Sequence, residues 1–341
     1  MNERIRGVLA PVVTPFKPDL SPDPERLIGH CKWLLSQKCG LAVFGTNSEA
    51  NSMSAEERMI LLDALVAAGV YPARMMPGTG CCSISETVEL TAHAVKHGCA
   101  GVLMLPPFYY KNISEEGLYR YFSEVVQRVG DPGLRIYLYH IPPVAVVGIT
   151  PKLVERLLQA YPTAIAGMKD SSGDWNNTKA FLDAFAETAR APRAFDVFVG
   201  SESFLLANMR NGGVGTISAT ANVNPAAIHE LYAEYNRQNC SGVCVKRRAN
   251  RKALGTSAST TDLTTLQAKL NVVREVFARK SWPSMIAALK QAIAIYGNDP
   301  EWARVRPPLV ELTTEQARKL AAELEKIEFS IKLVERCRRS E

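Results

Sequence analysis

Residues 135–172 read RIYLYHIPPVAVVGITPKLVERLLQAYPTAIAGMKDSS. Two short apolar runs, 135–140 and 164–169, each lead into a polar or proline-marked turn. Between them Thr150 and Pro151 have the form of a helix start, a capping residue followed by a proline whose missing N–H costs nothing in the first turn. The stretch is therefore strand, helix, strand. The runs are apolar on both faces, as strands of a parallel sheet covered by helices must be. The same unit repeats outward in both directions. Further strand candidates lie at 8–16, 41–45, 74–78, 101–106, 196–200 and 215–218, separated by stretches of helical spacing such as 55–68, 86–97 and 115–129. Ser54 and Glu57 have capping-box spacing, and Glu115 and Glu116 suit a first helical turn. Eight units of this kind predict an α/β fold of the TIM (β/α)8 barrel type rather than an open sheet. No GxGxxG follows the first strand, which argues against a dinucleotide-binding fold.

The chain has 341 residues. A barrel takes about 250 residues, so one barrel plus an extension fits. Residues 1–238 are assigned to the barrel, ending in a helix over 222–238. Residues 239–263 are basic and rich in Ser and Thr without a clear period, and read as a flexible insertion. Residues 264–341 form a C-terminal helical extension, with helices expected at 265–278, 282–296 and 314–334. The formal charge is +6, and the insertion carries most of it: Lys246, Arg247, Arg248, Arg251 and Lys252 against Asp262, five minus one, or +4. The rest is near neutral and the insertion lacks interleaved aromatics, so no nucleic-acid partner is expected. No run of about 18 apolar residues occurs, so no membrane span is expected. The N-terminus shows no secretory signal, and eight scattered cysteines form no disulfide framework; both point to the cytoplasm. Cys240 and Cys244 have metal-like spacing but no second ligand pair. His93 and His97 are four residues apart without the glutamate of an HExxH motif and read as a solvated helix face. No metal and no cofactor is expected.

Chemistry in such a barrel sits at the C-terminal ends of the strands. The run 164–169 ends in Lys169. A lysine there either snorkels to solvent or points into the barrel, where, held dry, it can attack a ketone as the free amine. The run 135–140 carries Tyr139 at equivalent height, either a proton carrier or a core aromatic with a bonded hydroxyl. His140 beside it stands where it could touch substrate. The run 41–45 opens into Thr46 and Asn47, whose side chains and backbone N–H groups could hold a carboxylate without a formal charge; an ordinary capped turn is the plain alternative. The glycines at 212, 213 and 215 lead into a strand rather than out of one, which favours a tight turn over a phosphate cradle.

The segments APVVTPF, GTNSEANSMSAEER, MPGTG, LPPFYYKNISEEGLYRYF, YHIPP, GMKDSSGD, FVGSE and GGVGTISATANV, in this order, resemble the dihydrodipicolinate synthase / N-acetylneuraminate lyase family of class I aldolases. The resemblance runs from about Gly7 to Asn224 and resumes more loosely after the insertion. It implies that Lys169 forms an imine with a 2-keto acid such as pyruvate, and that Tyr139 carries protons beside it. It also implies that Thr46 and Asn47 bind the keto-acid carboxylate, Thr46 also joining the proton relay. Tyr110 matches a tyrosine that completes the relay in a neighbouring subunit's site. Gly200 and Ile217 match positions lining the pocket. An aldehyde as second partner and a homo-oligomer, tetramer or dimer, are implied too. Two positions depart from the pattern. Asn47-Ser48 replaces the usual Thr-Gly or similar pair, though Asn47 still offers an amide donor. Val144 stands where the synthases carry the arginine that grips aspartate semialdehyde, and a valine cannot pair a carboxylate. The expected function is a Schiff-base lyase, aldolase or dehydratase, that does not use aspartate semialdehyde. The alternatives are 4-hydroxy-tetrahydrodipicolinate synthase itself and a non-catalytic keto-acid sensor.

Overall fold

The computed structural model describes residues 4–186, 195–239 and 262–331. The insertion at 239–263, apart from its ends, lies outside them, as does the pair Cys240 and Cys244; the helix expected at 314–334 ends within them, at Lys326, and Glu328 beyond it takes a left-handed φ of 52°. Among the described residues seven parallel strands are formed: β1 (Gly7–Ala10), β2 (Gly40–Leu41), β3 (Val102–Met104), β4 (Ile136–His140), β5 (Ile165–Asp170), β6 (Asp196–Val199) and β7 (Gly215–Ile217). Their order is β2-β1-β7-β6-β5-β4-β3. Residues 75–78 close the ring between β2 and β3. Met76 N–H donates to Leu41 O at 2.8 Å, Gly78 N–H to Val43 O at 2.8 Å, and Leu103 N–H to Pro77 O at 2.8 Å. This is the expected eighth strand. Pro77 brings no N–H to the ladder, so the segment pairs only through isolated bridges. The (β/α)8 architecture stands.

Helices follow the strands: α1 (Pro24–Ser36), α2 (Ala55–Ala67), α3 (Ile84–Lys96), α4 (Glu115–Val129), the short α5 (Pro142–Ala145), α6 (Pro151–Ala160), α7 (Trp175–Ala184), α8 (Leu205–Arg210) and α9 (Pro225–Asn239). The Ser54–Glu57 capping box is made in both directions, at 3.0 and 2.9 Å, and Thr150 caps α6 through Leu153 N–H at 3.1 Å. The strand expected over 8–16 stops at Ala10, because Pro11 cannot donate to a ladder. Beyond it the Asn222 amide stands in for a strand neighbour, accepting from Val13 N–H and donating to Pro11 O, both at 3.0 Å.

Two apolar layers result. The outer one lies between sheet and helices and includes Ile136, Leu138, Ile165 and Met168. The inner one fills the barrel and includes Leu9, Tyr137, Tyr139, Phe198 and Ile217. Strict alternation along β5 from Ile165 would turn Lys169 outward to the helices. The register shifts instead: Ile136 pairs with Ile165 but Tyr137 with Gly167, leaving Ala166 as an extra residue. That bulge reverses the phase and brings Lys169 to the inner face beside Tyr139. Gly167 permits it, since a Cβ there would lie 2.2 Å from Asp196 O.

The extension contributes α10 (Leu263–Phe277), α11 (Met285–Gly297) and α12 (Thr314–Lys326). The second of these begins later than the expected 282, because Pro283 precedes the capping Ser284 and Trp282 instead donates from Nε1 to Val276 O at 2.7 Å. α10 packs along α9 and the turn Glu202–Phe204, and α11 against the turn Ala219–Asn222. Leu270, Phe277, Leu289 and Ile293 belong to the same outer core as the barrel. Among the described residues no helix is long and apolar enough to cross a membrane.

Candidate active site

At the C-terminal end of the strands a cavity of about 240 Å³ is lined by Lys169, Tyr139, Thr46 and Asn47, with Ser171, Gly200 and Val144 among its other walls. Lys169 is 2% exposed, and its Nζ lies 4.1 Å from the centre of the Tyr139 ring. Asp170, the next residue, faces the helices: its carboxylate accepts from Thr178 Oγ1 at 2.5 Å and from Ser172 N–H at 2.9 Å, fixing the strand end. The Tyr139 hydroxyl accepts from Thr46 Oγ1 at 3.3 Å. Burial alone would raise the Tyr139 phenol. The Lys169 charge beside it, with hydrogen bonds from Thr46, Lys169 and Ser171, outweighs that and holds it below the ordinary tyrosine value. A lysine side chain, an acidified phenol and a threonine hydroxyl thus stand together at one wall of the cavity.

The turn that carries Thr46 is built tightly. Gly45 leads into a single 3-10 turn, Thr46–Ser48, where Ser48 Oγ accepts from Gly45 N–H at 3.2 Å. Thr14 Oγ1 donates to Ser48 O at 2.7 Å. Glu49 then takes a left-handed conformation, φ 57°, uncommon for a residue with a side chain. Its carboxylate is fully buried and bound by Lys290 Nζ of α11 at 2.7 Å and by Arg306 N–H at 2.8 Å. Burial pushes Lys290 down to about 8, against the pull of Glu49 upward.

Thr46, Asn47, Tyr139, Lys169 and Gly200 are brought together as the sequence suggested. Three candidates are not. His140 was expected near substrate, but alternation along β4 turns it outward. There its Nδ1 accepts from Ile149 N–H at 2.9 Å and its ring meets Phe181. Burial, opposed by Asp170, holds its imidazole below the usual value. Ile217 lies in the inner core without lining the cavity. Tyr110 is 72% exposed, edge-on to Tyr109, and does not reach the cavity of its own chain. His93 and His97 both meet Asp63 of α2, at 2.8 and 2.7 Å, outside the cavity. Sequence reasoning missed Arg274 and Met285, which line the cavity from the extension. Nothing marked them, since each sits in an ordinary helical stretch.

A closed barrel with a buried lysine and phenol and a half-buried threonine hydroxyl at its catalytic end defines the class: an aldolase-type lyase. The chain belongs to the dihydrodipicolinate synthetase family, whose model matches residues 4–327. It is 29% identical over 324 residues to an uncharacterized DapA-like lyase of Chloroflexus aurantiacus, covering 94% of this chain and 97% of that protein. It is 37% identical over 228 residues to the 4-hydroxy-tetrahydrodipicolinate synthase of Thermus thermophilus, covering 65% of this chain and 71% of the relative. The solved dihydrodipicolinate synthase of Acinetobacter baumannii, chloride-inhibited and complexed with pyruvate, matches with a TM-score of 0.77 at 25% identity. That match covers 95% of this chain and 99% of the other.

Proposed function

We propose that this lyase acts on pyruvate or a related 2-keto acid through an imine at Lys169. The observation that carries the reading is the Lys169 amine held dry against Tyr139 in the cavity that Thr46 and Asn47 also line. Nζ attacks the C2 ketone, a C–N bond forms, and the ketone oxygen leaves as water after protonation by Tyr139. The protonated imine then accepts the electron pair of a breaking C3–C4 bond, or that of a C3–H bond whose proton is removed; the enamine so formed attacks an aldehyde, or expels a hydroxyl from the next carbon, which leaves with its bonding pair and a proton as water. Asn47 and the Thr46 turn offer neutral donors for the keto-acid carboxylate. We assign the protein to the cytoplasm and to a homo-oligomer, in which the exposed Tyr110 enters a neighbouring protomer's cavity.

The name of the Thermus thermophilus relative favours a second reading, 4-hydroxy-tetrahydrodipicolinate synthase. Val144 speaks against it. It lines the cavity and is 62% exposed, where an arginine would be needed to grip aspartate semialdehyde. A sensor has no use for the Tyr139–Thr46 relay. Borohydride reduction in the presence of pyruvate, followed by peptide mass analysis, tests the proposal. The expected result is a pyruvate-sized adduct on Lys169, absent from Lys169→Ala. No adduct from pyruvate or any larger keto acid on folded protein would overturn it.

A further inference from the structure

Among the described residues that line the cavity, two carry cationic groups: Lys169, and Arg274 of α10. The Arg274 side chain is 20% exposed. Its Nη1 reaches Glu202 Oε2 at 3.4 Å and Ser218 Oγ at 3.3 Å, both long contacts. Its Nε and Nη2 find no acceptor among the described residues. A guanidinium presents five N–H donors in a planar fork, and an edge of Nε and Nη2 matches a carboxylate in two parallel bonds. Glu202 does not compete for that edge. It is buried, and its two oxygens accept from the hydroxyls of Ser218 and Thr220 as well as facing Nη1. It holds one side of the guanidinium and leaves the other side open. The one carboxylate among the lining residues, that of Asp170, is engaged by Thr178 and Ser172. Phe204, Ala219 and Met285 supply apolar wall.

We propose that Arg274 forms a second anion subsite in this cavity, so that the native substrate is a 2-keto acid with a second carboxylate further along its chain. The inference rests on the assignment of Lys169 as the imine-forming residue. It places the distal anion on the β6–β7 side, where Glu202 and Ser218 stand, and not on the β4 side, where Val144 replaces the arginine of the synthases. The residue that sets substrate choice then comes from the extension, outside the barrel that carries the relay.

The test is borohydride trapping on the full chain, scored as the concentration of keto acid that half-saturates adduct formation at Lys169. Two diacids, 2-oxoglutarate and 2-oxoadipate, are compared with the monoacids 2-oxopentanoate and 2-oxohexanoate, whose far chain ends are uncharged, with pyruvate as reference. At least one diacid is expected to half-saturate at a concentration about tenfold to a hundredfold below the monoacid of the same length, the usual worth of a charge-assisted pair. Arg274→Met brings that ratio close to one, and Arg274→Lys restores part of it. A merely structural role for Arg274 would weaken diacids and monoacids alike. If Arg274→Met does not fold, the wild-type ratio and the Arg274→Lys variant decide. Trapping of all the acids without discrimination, or a preference that survives Arg274→Met, overturns the subsite alone. Absence of any adduct overturns the role of Lys169 and the subsite with it.

Discussion

Tyr139 sits between the Lys169 charge and the Thr46 hydroxyl, and both lower its proton affinity against the cost of burial. A phenol with a charged neighbour on one side and a hydroxyl on the other has the contacts that a proton carrier beside an imine needs. Tyr139→Phe keeps the ring against Lys169 and removes the proton site. The rate of adduct formation with pyruvate should fall by about 10²–10⁴-fold, the usual contribution of a positioned acid–base group. Thr46→Val removes one hydrogen bond and should cost about tenfold. It also has a pH signature. The Thr46 bond lowers the Tyr139 value, so without it the alkaline limb of the trapping rate moves to higher pH. Quenched borohydride trapping across pH 7 to about 10 measures both effects, the upper end being set by an ordinary phenol. A Tyr139→Phe variant that traps at the wild-type rate would remove the relay. Lys169, Tyr139 and Thr46 were legible as candidates because each lies at or just past the end of a recognisable strand, but position alone left a plain structural role open for each, and the family motifs around them decided. Arg274 was not, because what makes it a site residue is the tertiary packing of α10 on the Glu202–Phe204 turn.

At the scale of elements, the turn Thr46–Ser48 is held by α11, far along the chain. Glu49, left-handed and fully buried, is anchored by Lys290 Nζ and Arg306 N–H, and Lys290 also lies 4.5 Å from the centre of the Phe16 ring. Removing one partner of a buried pair strands the other charge, at a cost of about 3–5 kcal/mol. Lys290→Met should lose stability in that range, and Glu49→Gln with Lys290→Met together should lose much less. If the pair positions Thr46, the single variant should also slow pyruvate trapping beyond what its unfolded fraction accounts for. Urea unfolding and trapping on the same preparations measure the two; additive losses in the double variant would show that the residues act independently. The helices of the extension were legible from their spacing, and their caps hold at Ser284 and Thr313. That one of them clamps the turn was not, since nothing in the local pattern of α11 says what its buried lysine meets. The bulge at Ala166 escaped for a related reason. A single extra residue leaves apolar composition unchanged while reversing which way Lys169 faces.

In the whole barrel the first and last strands along the chain, β1 and β7, lie side by side, and the outer brace of that seam is polar. Asn222 ties Pro11 and Val13 beyond β1 to the turn Ala219–Asn222 beyond β7, and its Oδ1 also lies 3.3 Å from His30 Nε2 of α1. His30 is buried and packs between Trp33 and Trp302, ring centres 5.4 and 5.1 Å away, so the seam, the first helix and the extension meet at one imidazole. Eight apolar runs foretold the ring, but such runs do not say what fastens its ends. Burial pushes His30 down to about 4 from an ordinary value of 6.5, with Asn222 pulling weakly upward. In the folded protein the ring therefore stays neutral over a range in which the unfolded chain takes up a proton. Because the unfolded state binds more protons there, stability is complete above about pH 6.5 and declines as pH falls through the window down to about 4. The loss attributable to this one residue approaches about 3 kcal/mol, roughly 2.5 pH units at about 1.4 kcal/mol each. His30→Phe preserves the stacking and removes the titration. It should be less stable than the wild type at pH 7, where the contact with Asn222 is lost, and should close or reverse that gap by about pH 4.5. Urea unfolding of both proteins at the two pH values decides the matter. Parallel losses would mean that the acid sensitivity of the barrel resides in its carboxylates and not at the seam.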